Sequence, residues 1–171
     1  MKLNSQFYFY QNRENSIKDE SVFFVGADKG RYEKLMEISN DLKNADVTLD
    51  FHVINTDGKD DRKYVEKTYM EYDEVISHIQ KSKAVVEIVQ NGQNGLTVRA
   101  LEAMFFETKL ITNNREIRNY SFYNDNNIFI VGEDNNDNLN LFLHTPFQLI
   151  EKKDIYSYDA NGWLNTFMRK D

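Results

Sequence analysis

"AVVEIVQNGQNGLTVRALEAMFFETKLIT", Ala84 to Thr112, carries a strand, a turn, a helix and a second strand in one stretch. "AVVEIVQ" is an almost continuous apolar run, as expected of a parallel strand buried on both faces. "QNGQNG" breaks it with glycines and side-chain amides, and "LTVRALEAMFFET" then sets Val98, Leu101, Met104 and Phe105 at helical spacing, facing inward. "KLIT" reads as the next strand. Two parallel strands joined through a helix are the unit of an α/β sheet.

The flanking sequence repeats the alternation. "SVFFVG" is an apolar strand ending at Gly26, and "RYEKLMEISNDLKNA" sets Leu35, Ile38 and Leu42 on one helical face. "VTLDFHVIN" is a strand, "TDGKDDRK" a polar loop, and "YDEVISHIQKS" a short helix with Val75, Ile76 and Ile79 as its buried stripe. Beyond Thr112, "REIRNYSFY" predicts a short helix, "NIFIVG" a fifth strand, and "NLNLFLHTPF" a helix ending before Pro146. "EDNNDN" is an exposed turn, and the tail with the single Trp163 predicts a last helix packing back on the sheet. The expected fold is a Rossmann-like, doubly wound parallel sheet with helices on both faces, whose ligands bind beyond the carboxyl ends of the strands. It begins near Ser21, and residues 1–20, with aromatic Phe7 to Tyr10, form an arm or linker.

Length and composition narrow the classes. A chain of 171 residues suits one domain, 21–171 here. It has no cysteine, which excludes thiol chemistry and disulfides and fits a reducing compartment. A net charge of -7 argues against general nucleic-acid binding. No apolar run approaches the roughly 20 residues that span a bilayer, and the start lacks a secretory core, so a cytoplasmic location is expected.

Glycines at the turn before Leu96 permit unusual backbone, and the amides of a helix start attract an anion such as phosphate. Arg99 and Glu102, three apart, share one helix face; Arg99 can fork onto a phosphate and Glu102 can accept from sugar hydroxyls. The bland alternative is an exposed ion pair worth about 0.5 kcal/mol or less.

"GLTVRALEAMFFETKLIT", Gly95 to Thr112, resembles the segment of the C-terminal nucleotide-sugar-binding domain of GT-B glycosyltransferases in which a glycine loop opens a helix carrying "EAM" or "EAL". It is most similar to transferases of bacterial polysaccharide and lipopolysaccharide biosynthesis with a "GLTxRxxEAL" form. "FFVGADKGR" resembles the first strand and Gly-rich turn of that domain, and "YMEYDEVISHIQKSKAVVEI" its base-binding loop and following helix. The resemblance spans about Ser21 to Gly132.

The resemblance implies a nucleotide diphosphate sugar as donor. Glu102 matches the glutamate that holds the ribose; Gly95, Leu96 and Thr97 match the helix start near the diphosphate. Lys29 and Arg31, after Gly26, fall where basic residues meet the donor phosphates, and Tyr69 and Tyr72 bound the loop that meets the base. With Arg99 they supply positive charge, so neither a metal nor a further cofactor is expected. Asn94 stands where many retaining members carry a second glutamate, so the stereochemical outcome stays open and no catalytic residue is assigned. Such enzymes also need an N-terminal acceptor-binding domain, for which the chain has no room. It looks like one half of an enzyme, inactive alone, and any peripheral membrane contact would belong to the missing half.

Other features point elsewhere. His52, His78 and His144 lack partners at metal-ligand spacing, favouring structural or surface roles. "TDGKDD" lacks the EF-hand pattern, Asp73 and Glu74 suit a helix start, and Tyr120, Phe122 and Tyr123 are expected in the core rather than stacked on a base. Glu87 either faces the ligand cleft or pairs with a buried base. The alternative function is a non-catalytic nucleotide-binding or interaction module of the same fold. A receiver domain is disfavoured because Gly26 and Asn91 stand where acids would be needed, and a methyltransferase because "VGADKGR" is a poor glycine-rich turn, with Asp57 only a weak ribose-binding acid.

Overall fold

The computed structural model describes residues 6–9, 17–55, 61–90, 92–93 and 95–168. Six parallel strands form one sheet: β1 (Ser21–Ala27), β2 (Thr48–Ile54), β3 (Val65–Glu66), β4 (Ala84–Glu87), β5 (Lys109–Thr112) and β6 (Ile128–Ile130), ordered β3-β2-β1-β4-β5-β6. Among the described residues six α-helices accompany them: α1 (Tyr32–Asp41), α2 (Tyr72–Lys81), α3 (Val98–Phe105), α4 (Leu139–His144), α5 (Lys152–Tyr158) and α6 (Ala160–Met168). The fold is α/β and Rossmann-like, as expected.

Strand alternation builds two cores. Val22 and Phe24 of β1, Val86 of β4 and Ile111 of β5 face Leu35 and Ile38 of α1 and Leu139, Phe142 and Leu143 of α4. Phe23, Val85, Leu110 and Ile130 face the other way, onto Val75, Ile76 and Ile79 of α2 and Leu101, Met104 and Phe105 of α3. The period of two along each strand therefore decides which helix each residue meets.

The structure corrects the expected pattern in several places. β3 is a sixth strand beside Val53–Ile54, in a stretch between the polar loop and α2 to which the sequence assigned no element. α3 begins at Val98, which is 47% exposed and so not inward-facing, while Leu96 ahead of it is 5% exposed and belongs to the core. The short helix expected over 115–123 is a 3₁₀ helix confined to Arg115–Asn119. Phe122 is buried and Tyr120 and Tyr123 pack against the same core. In the expected exposed turn, the Asp134 carboxylate accepts the Ile130 amide at 2.6 Å.

Residues 7 and 8 pack against the C-terminal helices. The Tyr8 amide donates to Tyr158 O at 2.8 Å, and Phe7 lies 4.4 Å from Trp163 between ring centroids. α5 packs back on the sheet through Tyr158 and Ile155. Lys18 ties the arm's end to the body, its Nζ donating to Phe106 O at 2.9 Å. Tyr10 lies outside the described residues.

Lys109 opens the buried strand β5. Its Nζ donates to Asn126 O and sits 4.4 Å from the Phe142 ring centroid. Burial, reinforced by the charge of Lys83, lowers its pKa from 10.5 to about 8. Between those values the unfolded chain holds a proton that the folded chain has lost, so this group makes stability rise as pH climbs from about 8 towards 10.5. Urea denaturation across that window is expected to show the rise, and Lys109→Met to flatten it.

Candidate functional site

β1 and β4 are neighbours, yet the chain leaves them for opposite faces of the sheet, through α1 and α3. Beyond their carboxyl ends the two connections part, which opens a crevice at the point where strand order reverses. A cleft of about 570 Å³ there is lined by Lys29, Arg31, Lys34, Gln90 and Asn113, among others. A second, of about 240 Å³, shares Arg31, Ile88 and Val89 with it and reaches Glu87, Thr97, Val98 and Arg99.

The loop after β1 is held in shape from below. Asp28, 4% exposed, pairs with Arg62 Nη1 at 2.8 Å and accepts the Tyr32 amide at 3.2 Å. Burial alone would raise the Asp28 pKa, but the Arg62 hydrogen bond and charge and the Tyr32 amide outweigh it and hold the carboxyl below its usual range. The turn itself places Lys29 at φ 44° and Gly30 at φ 78°, a left-handed conformation that strains a side chain at Lys29. Gln90 Nε2 donates to Lys29 O at 2.9 Å and ties the loops after β1 and β4 together.

Arg31 stands at the mouth of α1. Its Nη1 donates to Ala27 O at 3.3 Å, and its Nε is buried with no hydrogen-bond partner among the described residues. Gly26 lies inside β1, with the Arg31 guanidinium in ordinary packing distance of its Cα side.

On the opposite wall, Thr97 caps α3 by accepting the Ala100 amide at 3.2 Å, and its hydroxyl donates to Glu87. Thr112 donates to the other Glu87 oxygen, so one acid joins β4, β5 and the start of α3. Glu87 is 4% exposed. It lines the cleft, and both its oxygens are engaged by threonine hydroxyls rather than by a buried base. Burial pushes its pKa up, against the threonine hydrogen bonds and the charges of Arg99 and Arg31.

Glu102 is not part of an exposed ion pair. It is 2% exposed; Arg99 Nη1 donates to Oε2 at 2.8 Å and the Tyr72 hydroxyl to Oε1 at 2.8 Å. Burial raises the Glu102 pKa against Arg99 and Tyr72, and also raises that of Tyr72, whose hydroxyl lies 2.9 Å from the Tyr8 hydroxyl.

The residues singled out from the sequence therefore separate. Lys29, Arg31, Thr97 and Arg99 line the crevice, with Gly26 beneath. Gly95, at φ 99°, borders a different cleft of about 360 Å³ with Glu116, Asn119 and Tyr120. Tyr72 meets Glu102 directly, whereas Tyr69 is exposed. Asn91, Asn94 and residues 56–60, including Asp57, lie outside the described residues. Asp28, Arg62, Gln90 and Asn113 were missed: Arg62 meets Asp28 across 34 positions of sequence, with no local pattern to reveal it. His144 is exposed on α4, while His52 and His78 converge on Asp50 despite their sequence separation. None of the three lines either crevice cleft.

No protein-family model matches the chain, and no curated protein matches it either. None of the helices among the described residues is long and apolar enough to cross a membrane.

Removing one partner of a buried pair strands the other. Glu102→Ala is expected to lower stability by about 3 kcal/mol, and Tyr72→Phe by about 1 kcal/mol, in urea denaturation. Glu87 carries a raised folded-state pKa, so its contribution is complete below the ordinary glutamate pKa and is lost as pH rises through the folded value. Glu87→Gln is expected to flatten that decline; an unchanged pH profile would remove Glu87 as its source.

Proposed function

We propose that the crevice between β1 and β4 binds the diphosphate of a nucleotide diphosphate sugar, and that the chain serves as the donor-binding half of a glycosyltransferase of cell-surface polysaccharide or lipopolysaccharide assembly. The observation that carries this reading is Arg31, whose buried Nε has no partner among the described residues and which lines both clefts where the strand order reverses. Lys29 adds charge on the same loop, and the capped start of α3 lines the second cleft together with Arg31. Helix amides and guanidinium groups favour an anion there. The sugar nucleotide, rather than any other anion, comes from the resemblance of "GLTVRALEAM".

In this reading the positive groups neutralise the leaving diphosphate, which is the charge that grows as the glycosidic bond breaks. Arg99 gives one N–H to Glu102, and a guanidinium has others that can reach a phosphate. Glu102 is 2% exposed, so a ribose hydroxyl reaches it only when Tyr72 moves aside. Acceptor binding and the catalytic base belong to a second unit.

One observation favours the alternative, a module that binds nucleotide without transferring sugar: Glu102 is 2% exposed, covered by Tyr72 and Arg99, and lines neither crevice cleft. Calorimetric titration with uridine, guanosine, adenosine and cytidine diphosphates, with and without magnesium, tests the site. One base is expected to bind preferentially and independently of magnesium, with Arg31→Ala weakening it by at least about tenfold. No binding by any of the four would contradict the diphosphate site. Binding of bare diphosphates with no gain from an attached sugar would favour the alternative.

A further inference from the structure

Asp50 and His52 are two apart on β2 and so project from the same face of the sheet, where His78 of α2 meets them. Asp50 Oδ1 lies 2.8 Å from His52 Nε2, and Asp50 Oδ2 lies 2.6 Å from His78 Nδ1. One ligand atom from each of the three residues lies within 4.8 Å of the other two. On its far side His52 turns Nδ1 towards Glu66 Oε1 of β3, 2.7 Å away.

A neutral imidazole has one N–H and one lone pair. If His52 gives its N–H to Glu66, then Nε2 turns a lone pair towards the Asp50 carboxylate, and the positive charge that joins these two acceptors is either a second ring proton or a metal ion. Glu66 is then placed as the outer carboxylate that fixes the tautomer and orientation of a metal-binding imidazole. A tetrahedral ion with ligand bonds of about 2.1 Å holds its ligand atoms about 3.4 Å apart, within the range spanned by these three residues. Phe23 forms one wall, stacked on His78 at 4.9 Å and 18° between ring planes. The Asp50, His52 and His78 side chains are 27%, 20% and 31% exposed, so solvent can reach a fourth position.

We propose that Asp50, His52 and His78 form a binding site for a divalent transition-metal ion of the zinc class, with Glu66 orienting His52. Two nitrogens and one carboxylate suit such an ion, and its charge of about +2 balances the carboxylates of Asp50 and Glu66 when both imidazoles are neutral. The ion ties α2 to β2, one strand in from the sheet edge, and α2 is the helix that carries Tyr72 to Glu102. The site is independent of the nucleotide reading.

The test uses the full chain, stripped with a chelator and titrated with zinc by calorimetry and with cobalt by visible absorption. One zinc per chain is expected to bind, with a rise in melting temperature and a cobalt d–d spectrum of low-coordinate type. His52→Gln and His78→Gln are each expected to weaken zinc by at least about tenfold, with His144→Gln, at an exposed side chain, unchanged. Circular dichroism checks that each variant folds, and Asp50→Asn offers a further ligand deletion if one does not. No saturable zinc binding, or binding equal to the parent in folded His52 and His78 variants, overturns the proposal.

Discussion

The structure depends on the divergence of the backbone on either side of β1. β1 pairs with β2 along one edge and β4 along the other, and both faces of this central strand are buried. Its alternating residues must therefore satisfy two different helical layers, Val22 and Phe24 one, Phe23 and Val25 the other. Because α1 lies on one face and α3 on the other, the loops leaving β1 and β4 cannot close over the strand ends between them. The crevice follows from the sheet's burial, and Lys29, Arg31 and Thr97 reach it because they occupy those two connections.

Buried acids then fix the walls. Glu87 joins two strands to the cap of α3 through threonine hydroxyls, Asp28 holds the loop after β1 through Arg62, and Glu102 holds Arg99 at the second wall. Each carboxylate loses hydration on burial, and each is compensated by donors placed by a different element. Polar groups that would weaken an ordinary core instead set the relative position of the loops, which is what a binding crevice needs from its scaffold.

Much of the fold was legible because parallel strands buried on both faces leave continuous apolar runs, as in "SVFFVG" and "AVVEIVQ". β3 left no such run: it has two residues, Val65 and Glu66, on the sheet edge. Leu96 and Val98 exchanged their expected environments because α3 starts after Thr97, two residues later than the apolar pattern suggests. Around the crevice, Lys29, Arg31 and Thr97 were singled out only through the resemblance, and Arg99 from its place on the first turn of a helix. The burial of Glu102 was not, since its cover is Tyr72, 30 positions away. Nor was the meeting of His52 with His78, which only the packing of α2 against β2 creates.

The most direct measurement is an amide nitrogen–proton correlation spectrum of the isotope-labelled chain during titration with a nucleotide diphosphate. The account predicts saturable shifts centred on Lys29 to Arg31, Gln90 and Thr97 to Arg99, the residues around the crevice. Shifts confined to other surfaces, or none at all, would contradict it.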